Sequence, residues 1–424
     1  MTIRGSRLDS GVRVVTEELP ALRSAAVGFW VGAGSRDERD AEAGASHFLE
    51  HLLFKGTADR SALEIAEAVE SVGGDMNAFT AQELTAFYVR VPDDRLELAL
   101  DILADIVWAP ALRGDDIESE RQVILEEIRM RDDAPDDLVH DLFASALFPD
   151  DPLGREVLGT QTSIEAMTRD DIVRHHRRHY HPANVVIAAA GNLTHDRVVE
   201  RVAGGVRGAA TAGDGDGDGH GASTPSRAAP RRLALLHRPT EQAHIVLGMR
   251  SLASGDPDRY ALAVLNQALG GGMASRLFQE VRERRGLAYS VYSYRSSFRD
   301  TGAFGVYVGT APERVDETLE VVETELRRVV TDGGITDHEL DAAKGHLKGS
   351  IALSLESSIS RMHRIGSNEL TLREVPTLDE VVARVDAVGP VEVGRVVERV
   401  VDDADRTLAV VGPFEEADFQ ARVA

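Results

Sequence analysis

A chain of 424 residues with 43% hydrophobic residues is long enough for two or more globular domains and too apolar to be disordered. Its net charge of −24 argues against non-specific binding of nucleic acid; it would favour basic peptides as substrates, but solubility and compositional bias are the preferred reading. There is no cysteine, which excludes disulfides, thiol nucleophiles and thiolate metal sites, so any metal must sit on His, Asp or Glu.

The amino terminus carries no apolar segment of signal-peptide length, and no uninterrupted apolar run is long enough to span a bilayer. The expectation is a cytoplasmic protein with no membrane segment. Residues 11–19 and 25–34 read as strands, the second ending in a Gly-rich turn. A helix follows over Ala-Ser-His-Phe-Leu-Glu-His-Leu-Leu-Phe, with Phe48, Leu49, Leu52 and Leu53 on one apolar stripe, stopping near Gly56. His47 and His51, four apart, lie one turn above each other on a shared face that also takes Glu50. Two imidazoles at this spacing can hold one zinc ion, and a carboxylate beside them can take a proton from metal-bound water. The order His-x-x-Glu-His inverts the zincin motif. An exposed helix that happens to carry two His and a Glu is the competing reading.

A second amphipathic helix is expected over 61–72, capped by Ser61 and ended by Gly73-Gly74. Residues 75–80 and 85–91 read as strands and 96–107 as a helix. The acidic helix over 115–131 has its apolar stripe at Ile117, Ile124 and Ile128, and Asp132-Asp133-Ala134-Pro135 closes it. Glu120 and Glu127, seven apart, share a bearing at the border of that stripe, whereas Glu126 points nearly opposite and should face water. Glu127 is therefore the geometric choice for a third metal ligand, and Glu120 for its supporting carboxylate, with a solvated acidic face as the alternative. A helix over 170–180 carries His175 and His179, also four apart. It lacks a carboxylate at a catalytic spacing and reads as structural. Residues 184–191 form a buried strand.

Between 206 and 231 the composition turns to Gly, Ala, Asp, Ser and Pro, the signature of a flexible linker. Its Asp-Gly repeats resemble the start of a calcium loop, but Pro225 stands where the bidentate Glu would be needed. Beyond it the order of elements starts again: strand 243–249, helix 259–269, a glycine turn into a helix through Arg282, strands 289–294 and 303–309, and helices 315–330 and 337–357. The strand at 407–412 echoes the one at 184–191. This pattern predicts an α+β fold of two duplicated halves, 1–205 and 232–424, each a mainly antiparallel sheet packed against helices. Only the first half carries the His-x-x-Glu-His motif.

On these motifs the chain resembles the pitrilysin-like inverzincin metallopeptidases, in particular the bacterial enzymes similar to mitochondrial processing peptidase. The resemblance implies one zinc ion per chain held by His47, His51 and Glu127, with Glu50 as general base and Glu120 in support. It further implies that Asn77-Ala78-Phe79 is the edge strand on which substrate lies, and that Arg282 and Tyr289 reach the active site from the second half. The implied activity is endopeptidase cleavage of extended peptides or unfolded segments by a chain working as a homodimer or with a related subunit. A non-catalytic, peptide-binding partner subunit is the alternative, although such subunits typically lack the zinc motif that is intact here.

Overall fold

The computed structural model describes residues 2–205, 228–402 and 405–423, and these divide into two compact units. The Gly/Asp stretch expected to be a linker falls outside the described residues over 206–227. Four further crossings of the chain, after Arg129, Gly154, Leu353 and Val375, assign Met130–Gly154 to the second unit and Ser354–Val375 to the first.

In the first unit, strands β1 (Thr2–Arg7), β2 (Arg13–Glu18), β3 (Ser24–Val31), β4 (Asp75–Thr80), β5 (Thr85–Pro92) and β6 (Val185–Gly191) form one sheet in the order β1-β2-β6-β3-β5-β4. All pairs are antiparallel except β2 with β6. One face carries helices α1 (Ala45–Leu53), α2 (Ala62–Glu70), α3 (Leu96–Trp108), α4 (Gly114–Asp132), α6 (Gln161–Ala166), α7 (Arg169–His179) and α8 (His195–Gly205), while α5 (Pro135–Leu147) goes to the second unit. Phe48, Leu49, Leu52 and Leu53 of α1 are fully buried there with Phe29, Phe87 and Ile187. Alternation sends Val186, Ala188 and Ala190 of β6 to the opposite face. With both faces covered, β6 reads as an unbroken apolar run rather than an alternating one.

The second sheet is built from β7 (Leu233–His237), β8 (Ala243–Ser251), β9 (Ala288–Ser297), β10 (Gly302–Thr310) and β11 (Thr407–Gly412) in the order β7-β11-β8-β10-β9. Leaving β1 aside, both sheets run first, fifth, second, fourth, third strand, with the first and fifth parallel. Its helices are α9 (Arg259–Gly270), α10 (Val315–Thr331), α11 (Asp337–Ser354), α13 (Leu378–Asp386), α14 (Pro390–Val396) and the short α15 (Gln420–Val423), with π-helical turns at Phe278–Glu283 and Val397–Asp402. The duplication expected from sequence is thus present in the topology.

The halves 1–205 and 232–424 are not, however, the compact units. Helix α12 (Ser358–Thr371), from the second half, covers the outer face of the first sheet, where Met362, Ile365 and Leu370 pack on Trp30, Val186 and Ala188. Reciprocally, α5 lays Val139, Phe143 and Leu147 on Val246, Tyr307, Ala409 and Val411 of the second sheet. Each helix docks against a glycine of a central strand. A Cβ on Gly28 would stand 2.6 Å from Met362 Sδ, and one on Gly248 would stand 2.5 Å from Phe143 Cζ. Periodicity reports which face of a helix is apolar and is silent on which sheet receives it, which is why the exchange was not foreseen. Neither α5 nor α12 was anticipated: Pro135, read as a terminator, is the first residue of α5, and α11 stops at Ser354, three residues short of the expected end.

No helix among the described residues is long and apolar enough to cross a membrane.

Candidate metal centre

Helix α1 is anchored at its start by a carboxylate six residues upstream of the helix N-cap. Glu38, buried, accepts hydrogen bonds from the amides of Gly44 (2.8 Å) and Ser46 (2.7 Å), satisfying donors that the first turn leaves unpaired. Gly44 itself sits at φ +90°, where a Cβ would also press on the Leu158 carbonyl at 2.6 Å. The apolar stripe fixes the rotation of α1, and that rotation presents His47 and His51 together, ring centroids 4.6 Å apart.

Helix α4 supplies the third group. Its buried side is Ile117, Glu120, Arg121, Ile124, Leu125 and Ile128. Glu127, at the border of that stripe, brings Oε2 to 3.7 Å from His47 Nε2 and 3.6 Å from His51 Nε2. Glu126 turns outward, its side chain 64% exposed and paired with Arg129. Among the described residues, His47, His51 and Glu127 are the only three metal-capable side chains whose ligand atoms converge, all within 4.8 Å.

These three residues fit a zinc ion. Glu127 Oε2 is buried and accepts no hydrogen bond among the described residues, which would be costly for a carboxylate oxygen left without a cation. Ligands about 2 Å from a tetrahedral ion stand about 3.3 Å apart, a few tenths of an ångström less than the distances from Glu127 Oε2 to the two imidazole nitrogens. Burial, with the neighbouring His51, pushes His47 down to about 4, so its imidazole is neutral with a lone pair to give near neutral pH. His51 Nδ1 faces Glu120 Oε2 at 3.1 Å, an arrangement that leaves Nε2 free for the cluster. Glu120 is in turn 2.5 Å from Lys55 Nζ through its other oxygen. Lys55 was not singled out from the sequence, although its position four residues after His51 places it on the same side of the chain.

Glu50 belongs to the same helix but not to the trio. Its Oε2 accepts a 2.6 Å hydrogen bond from Thr80 Oγ1. Burial raises its carboxyl above the ordinary value; the Thr80 hydrogen bond and His51 oppose this, and Glu127 adds to it. Among the described residues the rival pair on α7 is not completed into a metal site: His175 is fully buried with Nε2 3.2 Å from Ser46 Oγ, and His179 is buried beside it.

The expected substrate strand is β4, at the edge of the sheet. The amide of Ala78 is bonded to its neighbour's Asn77 Oδ1 at 2.8 Å, a donor an incoming peptide could take over. The Phe79 side chain turns to the opposite face against Trp30, Tyr88 and His363 of α12. Only its backbone is available at the edge, as the period of two requires once Ala78 faces α1. In the second unit Arg282 and Tyr289 are joined to each other, guanidinium 4.6 Å from the ring centroid and Nη1 3.1 Å from the Tyr289 carbonyl, with Tyr289 78% exposed.

In Glu127→Gln, zinc affinity should fall by at least about tenfold while Glu126→Gln stays within about twofold of wild type. Titration with a competing chelator measures this, and the reverse ranking would remove Glu127 from the ligand set. Lys55→Met, which strips Glu120 of its cation, should weaken zinc by about tenfold with the secondary structure unchanged by circular dichroism.

Residues 13–161 match the insulinase family (peptidase family M16) and residues 166–347 match the peptidase M16 inactive domain. A Streptomyces coelicolor protein named an uncharacterized zinc protease is 48% identical over 417 residues, covering 98% of this chain and 90% of its own. A Bacillus subtilis protein of the same description, YmxG, is 41% identical over 408 residues, covering 95% and 97%. Among solved structures, a protease from Helicobacter pylori superposes with a TM-score of 0.90 at 24% identity, over 97% of this chain and 99% of its own. A Pseudomonas fluorescens protein described as a peptidase M16 inactive domain gives 0.87 at 23% identity, over 98% of each. At these identities the two structures speak for the fold alone.

Proposed function

Because the chain belongs to the insulinase family of peptidases, family M16, we propose that it is a zinc-dependent endopeptidase acting on extended peptides or unfolded segments. One observation carries the reading: Glu127 Oε2 lies buried and unbonded within 3.7 Å of two imidazole nitrogens, with Glu50 held beside them and outside the trio. Zinc bound there would supply Lewis-acid polarisation of a peptide carbonyl and acidification of a water molecule.

The chain's own residues do the rest. His47, His51 and Glu127 would hold the ion. Glu120 orients His51 and is itself held by Lys55. Glu50 removes the proton from the attacking water and returns it to the departing amine. Strand β4 takes the peptide by backbone pairing at its free edge, so affinity comes from the main chain and selectivity from side-chain pockets. Arg282 and Tyr289 are assigned as donors to the oxyanion on the family resemblance.

A mixed peptide library, metal analysis and a chelator test the reading together. The expected result is one zinc per chain and cleavage that stops with chelator and returns with zinc. Stoichiometric zinc without cleavage would point instead to a peptide-binding subunit.

A further inference from the structure

We infer that Thr80 is a positioning residue for Glu50, tying the base to the strand that takes the substrate; this rests on the reading of Glu50 as the base. Thr80 Oγ1 donates to Glu50 Oε2 at 2.6 Å, and among the described residues no other hydrogen bond reaches that carboxylate. A hydroxyl-to-carboxylate bond of this length is charge-assisted, and it fixes a side chain with three rotatable bonds. With Oε2 held, Oε1 is the oxygen left to receive a proton.

Thr80 is the last residue of β4. Met76 and Ala78, four and two positions earlier, pack towards the α1 core, while Phe79 packs on the α12 side, so the alternation of the strand aims Thr80 at α1. The same strand offers the Ala78 amide at its free edge. A peptide aligned by β4 and a base aligned by Thr80 therefore share one frame of reference, and an error in either is an error in the distance between proton and acceptor. Serine at position 80 would keep the donor, whereas valine keeps the shape and the strand preference and loses the donor.

The test uses the full chain with Thr80→Val and Thr80→Ser. Thr80→Val is expected to lower kcat roughly 10- to 100-fold with KM within about twofold and zinc at one ion per chain, and Thr80→Ser to recover kcat to within about threefold of wild type. In a Glu50→Gln background, Thr80→Val should change the residual rate by less than about twofold, since the group it positions is gone. A readout free of turnover accompanies these: in the metal-free protein, the 13C signal of the Glu50 carboxyl, assigned by its disappearance in Glu50→Gln, shifts in Thr80→Val and keeps its place in Thr80→Ser. An active wild type whose Thr80→Val variant retains kcat, loses KM instead, or is not rescued by serine overturns the assignment of Thr80 and leaves the peptidase reading standing. A wild type that binds zinc and cleaves nothing overturns the peptidase reading, and the role of Thr80 with it.

Discussion

In the Glu50→Gln variant, kcat for peptide cleavage is expected to fall by about 10²–10⁴-fold with zinc retained at one ion per chain. The amide has nearly the shape of the carboxylate and can keep the hydrogen bond from Thr80 Oγ1 through its oxygen, so α1 and the imidazoles of His47 and His51 stay where they are. What is lost is the capacity to accept a proton and return it. Steady-state kinetics on a cleaved peptide, with metal content measured on the same sample, separates this from metal loss. Wild-type turnover in a zinc-loaded Glu50→Gln protein would show that the proton goes elsewhere. The contrast with Glu127→Gln is diagnostic, because there the ion should leave first and activity follow it.

The second large effect concerns stability. Arg361 of α12 reaches Glu17 of β2, Nη1 to Oε1 at 2.5 Å, with Arg364 3.5 Å from the other oxygen and only 3% of the Glu17 side chain exposed. Arg361→Leu leaves a buried carboxylate with its nearer cation removed, a change worth about 3 kcal/mol. In a unit of this size that lowers Tm by roughly 6–12 °C. Calorimetry checks it against Arg4→Ala, which breaks an exposed pair with Asp196 and should shift stability by less than about 0.5 kcal/mol. Equal shifts from the two variants would mean that the buried pair adds nothing beyond an exposed one. The consequence reaches the candidate site, because His363 of the same helix supports Phe79 and Tyr88.

Much of the candidate site could be read from the chain because its determinants are local. The i, i+4 spacing of His47 and His51 and the bearing of Glu127 relative to Ile117, Ile124 and Ile128 follow from helical geometry, and the apolar stripes of α1 and α4 hold those bearings in the fold. Glu126 and Glu127 are adjacent and chemically identical, yet rotation alone separates them. The orientation of Phe79 follows from the same kind of argument, through the period of two along β4. Strand β1 was not anticipated: Thr-Ile-Arg-Gly-Ser-Arg is an edge strand with little apolar alternation to reveal it. Lys55, Thr80 and the Glu38 cap lay beyond the chain's own pattern, since each acts through a partner that only the fold supplies. The destinations of α5 and α12 belong to this second class.

The traded helices bear on how such a chain can arise. Each occupies the corresponding place in its half, third of the five α-helices between the fourth and fifth strands of that half's sheet, counted without β1. Two identical copies of an ancestral half, each lending that segment to the other, would already have been an interlocked pair before any gene fusion joined them. A protease cut within 206–227 should accordingly release no separate halves under native conditions.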